Sequence, residues 1–137
     1  MLTRSPLTPP LAVSLRLDAC LVAAAALVIA TLASPLSRFT GLDPAFLRIL
    51  GVALLPWAAF VGWTAWWRPQ RALPVIVGNV LWIVASVAVL IVRTIDPNAI
   101  GTAIVLAQAL LVACLAVWQG TALWNHPAGI ATERSRR

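Results

Sequence analysis

The sequence predicts an all-α membrane protein, a bundle of four transmembrane helices with both termini on the cytoplasmic side. Three observations predict it. Of 137 residues, 61% are hydrophobic and 10% charged, where a soluble domain carries about 25% charged residues. The apolar residues gather into four runs, each near the ~20 residues that a helix needs to cross a bilayer. The arginines stand at the ends of those runs and favour one side. Four spans take up roughly 80 residues, which leaves loops and two short tails and no room for a second domain.

A cytoplasmic tail is expected over 1–13. The first span, 14–36, follows Arg4 and contains Arg16 near its start; Pro35 marks its far end. The second, 45–67, stops before Arg68-Pro69, and the third, 73–92, stops at Arg93. The fourth, 99–123, runs into Trp124-Asn125-His126-Pro127, which opens a basic cytoplasmic tail over 124–137. The transmembrane domain is thus 14–123. Unpaired backbone groups are not tolerated in hydrocarbon, so each run is expected to be helical. The stretch Leu21–Leu32 followed by a small residue, Ala33, also fits a secretory signal. It is longer than the usual signal core, and the first span is expected to be retained.

Arg4, Arg16, Arg68, Arg71, Arg134, Arg136 and Arg137 fall on one side, and Arg38, Arg48 and Arg93 on the other. The positive-inside rule then places both termini in the cytoplasm of a cell whose inner (plasma) membrane holds the protein. Trp63, Trp66, Trp67, Trp118 and Trp124 fall near the same inner interface, as an aromatic belt requires. The net charge of +6 is spread in this way rather than gathered into a patch, so nucleic acid is not an expected partner. Arginine without lysine, beside abundant Ala, Leu and Val, points to GC-rich bacterial coding.

Asp43-Pro44 and Asp96-Pro97 each precede a span, with Asp suited to the N-cap and Pro to the first turn. Their shared offset fits either two helices that start alike or a weak duplication of the two hairpins. Pro56 interrupts the second span, and Ala58 and Gly62 form a small-residue pair that lets another helix approach. That pair serves either packing inside the bundle or a homodimer face.

Polar side chains inside spans are the functional pointers of such a protein. Asn79, Trp82, Ser86 and Arg93 share one face of the third helix by spacing, and Gln108, Leu115 and Gln119 share one of the fourth. Rise per residue puts Asp18, Asn79 and Gln119 in the cytoplasmic third, with Ser86 and Gln108 nearer the midplane. Asp18, beside Arg16, is expected to be an interfacial, hydrated carboxylate. Two functional readings follow for Asp18, Asn79, Trp82, Ser86, Gln108 and Gln119. They are interhelical packing bonds, or they line an inward-opening polar cavity for a lipid headgroup or small amphiphile.

The run Asn79-Val80-Leu81-Trp82 through Ser86, with Asp18, Pro35-Leu36, Leu55-Pro56, Pro97, Gly101, Gln108-Ala109 and Gln119, resembles a group of small bacterial four-span integral membrane proteins. In span count and length the chain is also similar to DoxX-like proteins. The resemblance implies a four-helix membrane protein and assigns no catalytic residue.

Cys20 and Cys114 lie in different spans and form no CxxC pair, so they read as buried small hydrophobes. His126 is the single histidine and falls beyond the last span. Nucleotide, serine-hydrolase and zinc-protease motifs do not occur. Neither enzyme activity, a metal nor a cofactor is therefore expected. The first reading is a non-enzymatic scaffold or accessory subunit of a membrane complex. The partners it implies are membrane lipids and a membrane protein or second copy. The alternative is a small transporter or amphiphile-binding module built on the polar layer. A third reading has Arg134-Ser135-Arg136-Arg137 attracting anionic lipid.

Overall fold

The computed structural model describes residues 9–125. Arg4, His126, Arg134, Arg136 and Arg137 lie outside the described residues, and with them most of the two expected tails. Helices are the only regular elements among the described residues, in the order α1 (Pro9–Thr31), α2 (Ala33–Thr40), α3 (Pro44–Trp67), a 3₁₀ turn (Pro69–Arg71), α4 (Leu73–Ile91) and α5 (Ala99–Trp124). Four of these are long and apolar enough to cross a membrane: Leu11–Thr31 within α1, then α3, α4 and α5. The protein is a multi-pass, all-α bundle.

The first expected span differs most from what forms. Helix α1 starts at Pro9 and stops at Thr31, and residues 33–40 make a separate helix. Pro35 accounts for the break. It has no N–H to donate, and its ring collides with the carbonyl four residues back, at Thr31. Leu32 takes up a non-helical ψ of 24° between the two helices. Helix α2 packs on both α3 and α5, so it lies across the end of the bundle opposite the termini.

The start of α3 follows expectation. Asp43 is the N-cap, its carboxylate accepts from the Phe46 N–H at 2.9 Å, and Pro44 opens the first turn. The start of α5 does not. There Asn98, not Asp96, is the cap, with Oδ1 accepting from the Gly101 N–H at 2.9 Å. The Asn98 amide also donates to the Phe39 carbonyl at 2.8 Å, and its backbone N–H donates to Thr40 at 2.9 Å. These bonds need a side chain that donates and accepts at once, which aspartate is not. They tie α2 to α5. Gly101 is glycine because the Thr40 carbonyl oxygen sits 2.2 Å from where its Cβ would be.

Helix α1 packs chiefly on α3, and α4 chiefly on α5. The α1–α3 contact is close because both surfaces are small. A Cβ on Gly51 would meet the Ala30 nitrogen at 2.5 Å and the Ala26 oxygen at 2.8 Å. One on Gly62 would face the Ala19 methyl at 3.8 Å, and Ala58 is buried. The small residues expected to serve either the bundle or a dimer are thus used within the bundle.

Apolar cores close both ends. Leu11, Leu15, Val61, Ala65 and Val75 fill the termini end, and Ala33, Leu42 and Leu47 the α2 end. The five tryptophans expected in a belt, Trp63, Trp66, Trp67, Trp118 and Trp124, all project outward near the termini end. Trp66 lies under the Arg16 guanidinium, 5.4 Å from the ring centre. Cys20 and Cys114 also face outward, which corrects the expectation that they are buried. On these helices the inward positions are already taken by Asp18–Ala19 and by Leu115–Ala116. Arg93 leaves the α4 face on which spacing placed it. Helix α4 ends at Ile91, and Arg93 has a left-handed φ of 54° in the turn that follows.

Candidate functional site

Helix α1 buries Leu11, Ser14, Leu15 and Asp18 completely or almost so. Their i, i+3, i+4, i+7 spacing makes them one stripe on the helix. Arg16 lies two positions before Asp18, on the other side of the helix, and is exposed. The two charges therefore diverge, and Asp18 is 0% exposed rather than hydrated at the interface.

What meets Asp18 is a pair of amides from the other helix pair. Asn79 of α4 donates to Asp18 Oδ2 at 2.8 Å, and Gln119 of α5 donates to the same oxygen at 2.8 Å. Asn79 Nδ2 also lies 3.2 Å from Gln119 Oε1 as donor. The depth matching read from the sequence is thus realised as a three-helix triad. Among the described residues the other carboxylate oxygen, Asp18 Oδ1, has no hydrogen-bond partner. Leaving a buried acceptor unsatisfied costs about 1–3 kcal/mol, more when it is charged.

The second polar group joins α4 to α5 alone. Trp82 Nε1 donates to Gln108 Oε1 at 2.7 Å, Gln108 Nε2 donates to Ser86 Oγ at 3.0 Å, and Ser86 Oγ donates back to the Trp82 carbonyl at 2.8 Å. Every polar atom of the Trp82 and Ser86 side chains is used here, which makes this layer a clasp between two helices. Its members still border the space described next.

Between the α1–α3 and α4–α5 pairs lies a cavity of about 550 Å³. This is within the range of pockets that hold drug-sized ligands. Asp18 and Asn79 border it at one end, and Thr40 and Gly101 at the other. Trp82, Ser86 and Gln108 lie along the wall, which is otherwise aliphatic apart from Phe46 and Trp57. The termini end beyond the triad is filled by the Leu11 and Leu15 cluster. The polar triad is accordingly the floor of a cavity that extends toward α2, not the mouth of one opening toward the termini.

Trp57 is the residue that sequence reading passed over. Its ring crosses from α3 to α4 and rests where a side chain on Gly78 would be, 2.2 Å from that Cβ position. A tryptophan at mid-span, well away from the interfacial five, was the available signal, since belt tryptophans sit at headgroup depth. Of the six residues singled out from the sequence, Asp18, Asn79, Trp82, Ser86 and Gln108 border the cavity. Gln119 does not; it is fully buried behind the floor and holds Asp18 in place. Among the described residues no three His, Cys, Asp or Glu side chains group as a metal site.

No family model, curated protein or solved structure matches the chain.

Proposed function

We propose that this is a non-enzymatic bacterial plasma-membrane protein that holds a small amphiphile inside its helix bundle, as a carrier or a binding module, with both termini in the cytoplasm. The observation that carries the reading is the cavity of about 550 Å³ with a polar floor at Asp18 and Asn79. An apolar space with a few polar groups at one end suits a molecule that is itself apolar with one polar end. A bundle selected only for packing gains nothing from such a space, because interiors are otherwise filled to near crystal density.

The scaffold or accessory-subunit reading, which the sequence ranks first, drew on small-residue faces. Gly51, Ala58 and Gly62 are spent on the α1–α3 contact, so that support now points inward. The resemblance to small four-span bacterial proteins, and in span count and length to DoxX-like ones, is compatible with either reading.

Native mass spectrometry of the protein released from its own membrane tests the proposal. One small molecule bound per chain is expected, and Ala85→Trp, which places an indole in the cavity wall, should remove it. A protein that carries no small molecule in any preparation, or one whose bound molecule survives Ala85→Trp, overturns the reading. A second protein retained at fixed stoichiometry, with no small molecule, favours the accessory subunit instead.

A further inference from the structure

The amphiphile reading leaves the polar end of the ligand unspecified, and the floor of the cavity specifies it. Among the described residues Asp18 is the single ionisable side chain bordering the cavity. No described arginine or histidine borders the space, so a phosphate or carboxylate head placed there would meet a carboxylate and no compensating cation among the described residues. The two amides that reach Asp18 both donate to Oδ2. Among the described residues Oδ1 is left with acceptor capacity and no donor. Two indoles border the same space: Trp82, three residues along α4 from Asn79, and Trp57 of α3, whose ring is seated against Gly78. A carboxylate at the end of a mostly aliphatic space that two indoles also border is a setting for an organic cation.

We propose that the cavity selects alkylammonium amphiphiles, with a protonated primary or secondary amine donating to Asp18 Oδ1 and the hydrocarbon body extending toward α2. This rests on the amphiphile reading and narrows it. Asp18 is 0% exposed, so the head reaches Oδ1 by parting the aliphatic side chains beside it. A compact ammonium with N–H groups does this more readily than a trimethylammonium, which is bulkier and has no proton to donate. Asn79 and Gln119 act as positioning residues; their bonds fix Oδ2 and so orient Oδ1.

The test compares four probes of one chain length, dodecylamine, dodecyltrimethylammonium, dodecanol and dodecanoate. Binding is measured by native mass spectrometry from phosphatidylcholine nanodiscs, with protein-free nanodiscs as background. Dodecylamine is expected to bind about tenfold or more tighter than dodecanol, as a charge-assisted hydrogen bond should exceed a neutral one. Dodecyltrimethylammonium should fall between them, and dodecanoate should bind least. Asp18→Asn should abolish the preference for the amine over the alcohol. The wild-type series stands alone if that variant does not fold. Equal binding of amine and alcohol to the wild type overturns the inference and leaves the amphiphile reading intact. Tighter binding of dodecanoate than of dodecylamine overturns it as well. Failure of all four probes removes both.

Discussion

The triad makes a prediction about energy that distinguishes a buried carboxylate held by its neighbours from three unrelated packing contacts. Asn79→Leu removes two hydrogen bonds, to Asp18 and to Gln119, and Gln119→Leu likewise removes two, to Asp18 and to Asn79. At the membrane average of about 0.6 kcal/mol per bond, each single variant loses roughly 1.2 kcal/mol. The double variant loses three bonds in all, since one is shared, so contacts alone would cost it about 1.8 kcal/mol. That is less than the two single losses together. The structure calls for the opposite sign, because the double variant strips both described donors from a carboxylate whose other oxygen has none among the described residues. The added desolvation is about 1–3 kcal/mol or more, which takes the total to roughly 3–5 kcal/mol. Adding Asp18→Leu to the double variant then removes the stranded group and should recover at least half of that loss, as whole-network apolar replacements often do. The assay is unfolding from mixed micelles by SDS titration, followed by tryptophan fluorescence. A double variant that costs no more than its singles combined, or a triple variant no more stable than the double, refutes Asp18 as the centre of the network.

Three further outcomes follow from local geometry. Asn98→Ala should cost about 1–2 kcal/mol through loss of the α5 cap and of the bond to Phe39, whereas Asp96→Ala should change the unfolding midpoint little. Arg93→Gly should raise stability by roughly 1 kcal/mol, because a left-handed φ disfavours any side chain by about that amount; the same SDS titration reads it. Gly51→Ala should cost about 1–3 kcal/mol of overpacking against the α1 backbone, while Gly120→Ala, with nothing within 4 Å of its Cβ position, should be neutral or slightly stabilising.

The spans and the Asp43 cap were legible because they depend on one segment at a time, whereas the α5 cap fell to Asn98 rather than Asp96. Run length, the Asp43-Pro44 start and the Arg68-Pro69 stop are each local. Pro35 was legible as a helix ender, but its position inside the run made it a break with a second helix after it. Asp18 shows the other kind of limit. Counting rise gave its depth correctly beside Asn79 and Gln119, yet depth does not give direction. The stripe Leu11, Ser14, Leu15, Asp18 did carry that direction, and the adjacent Arg16 drew attention to the opposite face. A polar cavity at these residues was one of two readings, but its size and its extension toward α2 were not legible, since they depend on how far apart two helix pairs stand. That distance is set by Trp57 on Gly78 and by the Asn98 ties to α2, contacts between residues remote in the chain.

The triad also has a schedule. Asp18 lies 61 residues before Asn79 and 101 before Gln119, so its donors leave the ribosome long after it does. At 5–20 residues per second, the gap between Asp18 and Gln119 is about 5–20 s. During that time α1 holds a carboxylate in or near hydrocarbon, a placement that insertion scales penalise by up to about 3 kcal/mol. Among the described residues α3 supplies no donor to Asp18, so the carboxylate has no protein partner until α4 and α5 arrive. A slow or stalled synthesis of the last helix would therefore expose the first one, and quality control that senses an unpaired intramembrane acid would read the completeness of this protein from its first span.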